Sequence, residues 1–209
     1  MKLAALLESL PEVQTTGKLP DSIQALEYDS RRVAPYSLFI ALRGSKVDGH
    51  KFAAQAAQRG AVAVVAEEPL DLPESCALLR VPDSRAAMAD LAAAFYGQPA
   101  RKLKLVGVTG TNGKTSVAFL LRHLLAAAGN RCGMIGTVEY DLGERVVPAS
   151  RTTPESLELQ AYLAAIRDAG CRMAVMEVSS HALQQHRVRG LDFLVGGFTN
   201  LTQAHLDYH

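Results

Sequence analysis

The 209 residues are 48% hydrophobic and 21% charged, with 22 Lys and Arg against 21 Asp and Glu and a formal net charge of +1. That balance supports a substantial core and gives no global electrostatic reason to expect nucleic acid or an anionic membrane as partner, so any anion site must be local. Cys76, Cys132 and Cys171 are widely spaced and form no Cys-x-x-Cys pair, which argues against a disulfide framework or a thiolate zinc site and points to a reducing, cytoplasmic setting.

The opening "MKLAALLESLPEV" carries Glu8 within a short apolar stretch and reads as a short amphipathic helix rather than a signal peptide. No run is long enough to insert in a membrane. Up to residue 97, strand candidates at 37–42, 61–67 and 76–81 alternate with Ala-rich helix candidates at 51–60 and 84–97, an α/β pattern. In the second helix Met88, Leu91, Ala92 and Phe95 recur at helical spacing behind Asp83 or Ser84 as cap, and Gly97 with Pro99 stops it. The segment 97–102, "GQPARK", is the candidate linker. It separates a first block, 1–99, from a second, 100–209.

The second block opens with "LKLVGV", 103–108, the continuous apolar run of a parallel strand covered on both faces. "GVTGTNGKTS" follows, and then a helix in which Val117, Leu120, Leu121, Leu124, Leu125 and Ala128 recur at spacings of three and four until Gly129-Asn130. Further strands are expected at 132–138, 172–178 and 192–198. A helix with Thr153 as cap and Pro154 in its first turn lies between the first two. The alternation predicts a doubly wound, mostly parallel sheet of the phosphate-loop type.

A phosphate loop needs glycines so that backbone N–H groups can turn inward on phosphate oxygens, with a helix N-terminus behind them. Gly110 and Gly113 suit this role, Lys114 can reach terminal phosphates, and the Thr115 hydroxyl can serve Mg²⁺. The commonest pattern has a glycine where this chain has Val108. A bare match of this kind also describes a strand-to-helix turn whose glycines serve packing alone, but the strand before it and the Lys-Thr pair favour phosphate. Strand ends deliver two more candidates for metal, Glu177 and His205, with Asp207 as a partner able to orient His205. Each also has a plain reading: a strand-end carboxylate commonly caps a helix or faces solvent, and Asp207 is a surface acid. His123 reads as a surface residue, and His181, His186 and His209 match no familiar zinc spacing.

"GVTGTNGKTS", "TTPESLELQ", "MEVSSHALQQHRV", "TNLTQAHLDYH" and "YDSRRVAPYSLFIALRGSKVDGHKF" together resemble the Mur ligases of bacterial cell-wall synthesis. The similarity runs in order from about residue 25 to the end and is greatest to the members that add the third residue of the wall peptide. In that family the loop lacks the early glycine, which accounts for Val108.

The resemblance implies a small UDP-sugar-binding domain followed by the first part of an ATPase domain. Gly110, Thr111, Asn112, Gly113, Lys114, Thr115 and Ser116 would hold ATP. Thr115 and Glu177 would bind Mg²⁺, and His205 would bind a second metal. Tyr28, Ser30, Ser45, Lys46, Val47, Thr152, Thr153, Ser179, Gln185 and Arg187 would contact UDP-N-acetylmuramoyl-L-alanyl-D-glutamate. Lys114, Glu177 and His205 would carry the chemistry.

Some of these residues have ordinary alternatives: Ser30 and Ser179 are also good helix caps, and Arg187 in "QQHRVR" is also a solvated charge. The implied enzyme is a monomer that joins a diamino acid, meso-diaminopimelate or L-lysine, through an acyl phosphate. Two departures stand out: Ala204 where the family has Asp, and an end at His209, before the family's amino-acid-binding domain. The 209 residues alone are therefore expected not to complete the ligation. A UDP-sugar-binding module and another phosphate-loop enzyme are the alternatives. No Asn-Lys-x-Asp segment speaks for a GTPase, and no lid-like Arg cluster for a kinase.

Overall fold

The computed structural model describes residues 1–44 and 47–202. The chain divides into two compact units, Met1–Phe95 and Tyr96–His209.

In the first unit α1 (Leu3–Leu7) is followed by strands β1 (Gln14–Thr16), β2 (Ala25–Glu27) and β3 (Ser37–Ile40), then a 3₁₀ turn (Gly49–Phe52) and α2 (Ala53–Gln58). Strands β4 (Ala61–Ala66) and β5 (Ala77–Arg80) and helix α3 (Ser84–Phe95) complete it. The sheet order is β1-β5-β4-β3-β2, parallel except for β1, which runs antiparallel along β5. Phe39, Ala41, Val64 and Leu78 pack against Ala53 and Ala56 of the α2 region to form one core. The small alanines let helix and sheet approach closely, and α1 packs on α3. Asp83 is the cap of α3: its Oδ1 accepts from the N–H of Arg85 at 2.8 Å and of Ala86 at 2.9 Å. Strands β1 and β2 escaped the sequence pattern because each has only three residues, and β1 is exposed throughout.

The second unit contains β6 (Lys104–Thr109), α4 (Lys114–Ala127), β7 (Cys132–Ile135), β8 (Glu139–Asp141), β9 (Val146–Pro148), α5 (Ser156–Asp168), β10 (Met173–Glu177), α6 (Ser180–Gln184) and β11 (Phe193–Phe198). Its sheet order is β11-β6-β10-β7-β8-β9; the first four are parallel, and β8 and β9 extend the edge antiparallel. Successive strand residues face opposite sides. Leu105, Ala174 and Met176 pack with Leu159, Leu163 and Ile166 of α5, whereas Val106, Val108 and Val175 pack with Ala118 of α4. Covering both faces in this way requires the continuous apolar strands seen in the sequence.

Three expectations change. The segment 97–102 is no open linker: Pro99–Lys102 form a 3₁₀ helix against α5, and Ala100 is part of that core. Thr153 does not cap α5, which starts at Ser156 behind Glu155, because the Thr153 hydroxyl is engaged at the end of β10. The apolar stripe of α4 is wider than its buried face, since Leu120 and Leu124 are exposed while Val117, Leu121 and Leu125 approach the sheet.

Candidate functional site

Four parallel strands of the second unit end on one side of the sheet, and each delivers a polar segment there. This is where open α/β sheets place their ligands. The end of β6 leads into the loop 110–113, and the end of β7 leads to Thr137. The end of β10 carries Glu177 to Ser179, and that of β11 carries Thr199 and Asn200.

Val108 is still strand, fully buried, with its carbonyl accepting from the N–H of Val178 at 2.8 Å. A glycine there would weaken the sheet, and the chain turns only at Gly110. Gly110 has φ +128, and a Cβ on it would lie 2.2 Å from Thr199 Oγ and 2.9 Å from the carbonyl oxygen of Asn200. Both backbone angle and close approach therefore demand glycine. Gly113 begins α4, whose first N–H groups lack intrahelical partners and whose positive end favours an anion. The Lys114 ammonium donates to the carbonyls of Gly110 at 2.7 Å and Thr111 at 2.9 Å. The loop thus holds its own cation over its mouth.

Glu177 is 1% exposed, and among the described residues its carboxylate meets neutral donors. The Thr115 hydroxyl donates to Oε2 at 2.9 Å, the Thr137 N–H to Oε1 at 2.8 Å and the Thr137 hydroxyl to Oε2 at 3.1 Å. Since Thr137 has one hydroxyl proton, its contact with Thr152 at 3.1 Å is donated by Thr152. A Cβ at position 136 would lie 2.6 Å from Glu177 Oε1, so Gly136 leaves the room this cradle needs. A buried carboxylate without a cationic partner is costly, and a hard cation beside the Thr115 hydroxyl would offset that cost. Among the described residues no cluster of three or more His, Cys, Asp or Glu could hold a metal. A threonine hydroxyl beside one carboxylate is a donor set that suits Mg²⁺, which takes one or two protein ligands and completes its shell with phosphate oxygens and water.

The exit of β10 is locked in place. Thr153 Oγ donates to the Glu177 carbonyl at 2.8 Å and accepts from the Ser179 N–H at 3.1 Å. Arg187 is buried, with Nη1 donating to the Thr153 carbonyl at 2.8 Å and Nη2 reaching Gln185 Oε1 at 2.6 Å and Glu155 Oε1 at 3.0 Å. It is not a solvated charge. Ser179 is the cap of α6, accepting from the Ala182 N–H at 3.2 Å. A cavity of about 300 Å³ opens at the loop, lined by Thr111, Lys114, Ser179, Leu183, Phe198 and Leu201. Its volume is at the lower end of small-molecule sites.

In the first unit, Tyr28 and Ser30 follow the end of β2, and Val47 follows the end of the adjacent parallel strand β3. The Ser30 hydroxyl donates to Gln55 Oε1 at 3.1 Å, while Val47 is 57% exposed. The Gly44 N–H donates to the Val47 carbonyl at 2.9 Å. Ser45, Lys46, Ala204, His205, Asp207 and His209 lie outside the described residues. His123 is exposed on α4. Sequence reasoning quoted the segment that opens with Thr199 and Asn200 but gave neither residue a role. It did not single out Thr137, whose available signal was position alone, a small polar residue directly after a parallel strand.

The Mur ligase middle domain matches residues 108–209, and the description "Mur ligase family, catalytic domain" matches residues 22–96. The chain belongs to the Mur ligase family. Among its Mur ligase relatives, a UDP-N-acetylmuramoyl-L-alanyl-D-glutamate–2,6-diaminopimelate ligase of Geobacillus thermodenitrificans is 54% identical over the whole chain. One of the same name from Geobacter metallireducens is 47% identical. The chain spans about 42% of the first relative's length and 41% of the second's. A solved Mur ligase structure of that name superposes with TM-score 0.79 at 27% identity, covering 98% of this chain and 42% of its own. The MurF ligase of Thermotoga maritima in complex with ADP has TM-score 0.51 at 25% identity over 75% of this chain and 32% of its own.

Proposed function

We propose that this chain supplies the nucleotide-phosphate site and the UDP-sugar-peptide contacts of an ATP- and Mg²⁺-dependent amide ligase. The reaction joins a diamino acid to the γ-carboxylate of UDP-N-acetylmuramoyl-L-alanyl-D-glutamate; 2,6-diaminopimelate is the diamino acid in the relatives' names. The observation that carries the reading is the junction of loop and carboxylate, Thr115 Oγ to Glu177 Oε2 at 2.9 Å beside Lys114.

A carboxylate at neutral pH resists attack by an amine. Transfer of the ATP γ-phosphoryl group to it breaks the bond between the β- and γ-phosphates, releases ADP and gives an acyl phosphate with a good leaving group. The amine then attacks the acyl carbon, releasing phosphate and leaving the amide. Such transfer depends on positioning and charge neutralisation rather than a protein nucleophile. Lys114 exchanges its loop carbonyls for phosphate oxygens, and the N–H groups opening α4 bind the same anion. Thr115 and Glu177 would hold Mg²⁺, which when bound would neutralise charge on the phosphates, and His205 would serve a second metal. Tyr28, Ser30, Ser45, Lys46 and Val47, with Thr152, Thr153, Ser179, Gln185 and Arg187, serve the UDP-sugar peptide. The three unpaired buried thiols support a cytoplasmic setting, and among the described residues no helix is long and apolar enough to cross a membrane.

Calorimetry on the 209-residue chain tests this reading. MgATP and UDP-sugar dipeptide should each bind, and Thr115→Val should weaken the Mg²⁺ dependence of ATP binding by about tenfold, the worth of a charge-assisted hydrogen bond. Retention of UDP-sugar with no ATP binding would instead support a UDP-sugar module.

A further inference from the structure

We propose that Asn200, aided by Thr199, is a positioning residue that braces the phosphate loop from the end of the neighbouring strand and so sets its affinity for a nucleotide polyphosphate. The proposal rests on the ATP reading above and adds a residue pair to it.

The Asn200 side chain reads both sides of one loop residue, as a strand partner would: Oδ1 accepts from the Asn112 N–H at 3.0 Å, and Nδ2 donates to the Asn112 carbonyl at 3.1 Å. The reverse amide orientation would face donor to donor and acceptor to acceptor, so the hydrogen bonds fix it. The main chain adds a third link, the Thr111 N–H on the Asn200 carbonyl at 2.9 Å. Thr199 Oγ lies 2.7 Å from the Asn112 carbonyl, and the Thr202 N–H donates to Thr111 Oγ at 3.0 Å. The glycine at position 110 is what allows this approach, since Thr199 and Asn200 occupy the space a Cβ would need.

The brace divides the loop's donors. The N–H groups of Thr111 and Asn112 are committed to protein, whereas those of Gly113 to Ser116 open α4, where a helix has no partners of its own for them. Binding to a loop already held in this curvature costs less ordering than binding to a free one. An unbraced loop would keep its lysine and helix N-terminus and still bind phosphate weakly.

Amide hydrogen exchange on the nucleotide-free chain, with MgATP titrations, tests both halves. Thr111 and Asn112 amides should be protected. Asn200→Ala, which keeps the carbonyl that holds the Thr111 amide but removes the partner of the Asn112 amide, should expose Asn112 and weaken MgATP binding by about tenfold or more while leaving UDP-sugar dipeptide binding unchanged. Thr199→Ser, which keeps the hydroxyl, should bind MgATP as the unaltered chain does, and Thr199→Val should not. That pair carries the test if Asn200→Ala folds poorly. Free exchange of both amides in the unaltered chain, or MgATP binding unchanged in Asn200→Ala and Thr199→Val, would overturn the brace. If the unaltered chain binds no MgATP the ATP reading fails, yet protection that Asn200→Ala removes would still support the brace and unprotected amides would refute it.

Discussion

Cys76, Cys132 and Cys171 are free and buried at 4%, 7% and 5% exposure, each placed where a small apolar side chain fits beside a strand. Burial pushes the thiols of Cys76 and Cys132 up to about 11 from 9.0, and raises Cys171 as well. A folded state that holds its protons more tightly than the unfolded chain loses stability as pH rises. The loss begins near 9, where the unfolded thiols ionise, and is complete for these two groups by about 11. Iodoacetamide at pH 8 should therefore leave all three unmodified in the native chain and modify all three in urea, read by intact mass. Glu177 is buried in another way, its carboxylate accepting from the Thr115 and Thr137 hydroxyls and the Thr137 N–H. Lys114, Thr115 and Glu177 were legible in the sequence because their chemistry is carried by residue type. Thr137 and Asn200 were not, since threonine and asparagine are common after strands and only the register of β7 and β11 brings them to the site.

The elements that could be read in advance are those whose burial is one-sided or complete. β4, with Val64, Val65 and Ala66 inaccessible, and β6 are examples. The arm of β8 and β9 was missed because three-residue antiparallel strands show too little alternation, and β9 is largely exposed. The start of α5 was misplaced because Thr-Pro is a good local helix signal, and a tertiary bond to β10 outcompetes it for the hydroxyl. At α3 the local signal prevailed: Asp83 satisfies two N–H groups of its first turn. Asp83→Ala should cost about 1 kcal/mol of stability, measured by urea unfolding, with little change in the transition slope.

Across the whole molecule, each of the two units builds its own sheet and core, and each carries candidate residues at or after the carboxyl ends of parallel strands, Tyr28 and Ser30 in the first and Lys114 and Glu177 in the second. The fold class was therefore legible from alternating apolar strands and helices, while the partition of roles between units came from resemblance rather than from periodicity. β11 differs from the strands it joins. Among the described residues of this 209-residue chain it stands at the edge of its sheet, with Leu194, Val195 and Phe198 more than half exposed and a register irregularity between Phe193 and Val195. The hydrogen bonds that secure the phosphate loop are carried by the residues directly after it. A strand so thinly covered frays before the interior melts, and its fraying would slacken the loop. MgATP affinity, followed against temperature, should fall away several degrees below the loss of far-UV circular dichroism, while UDP-sugar dipeptide affinity persists to the main transition. The grip on nucleotide would then have a melting point of its own, set by one edge strand.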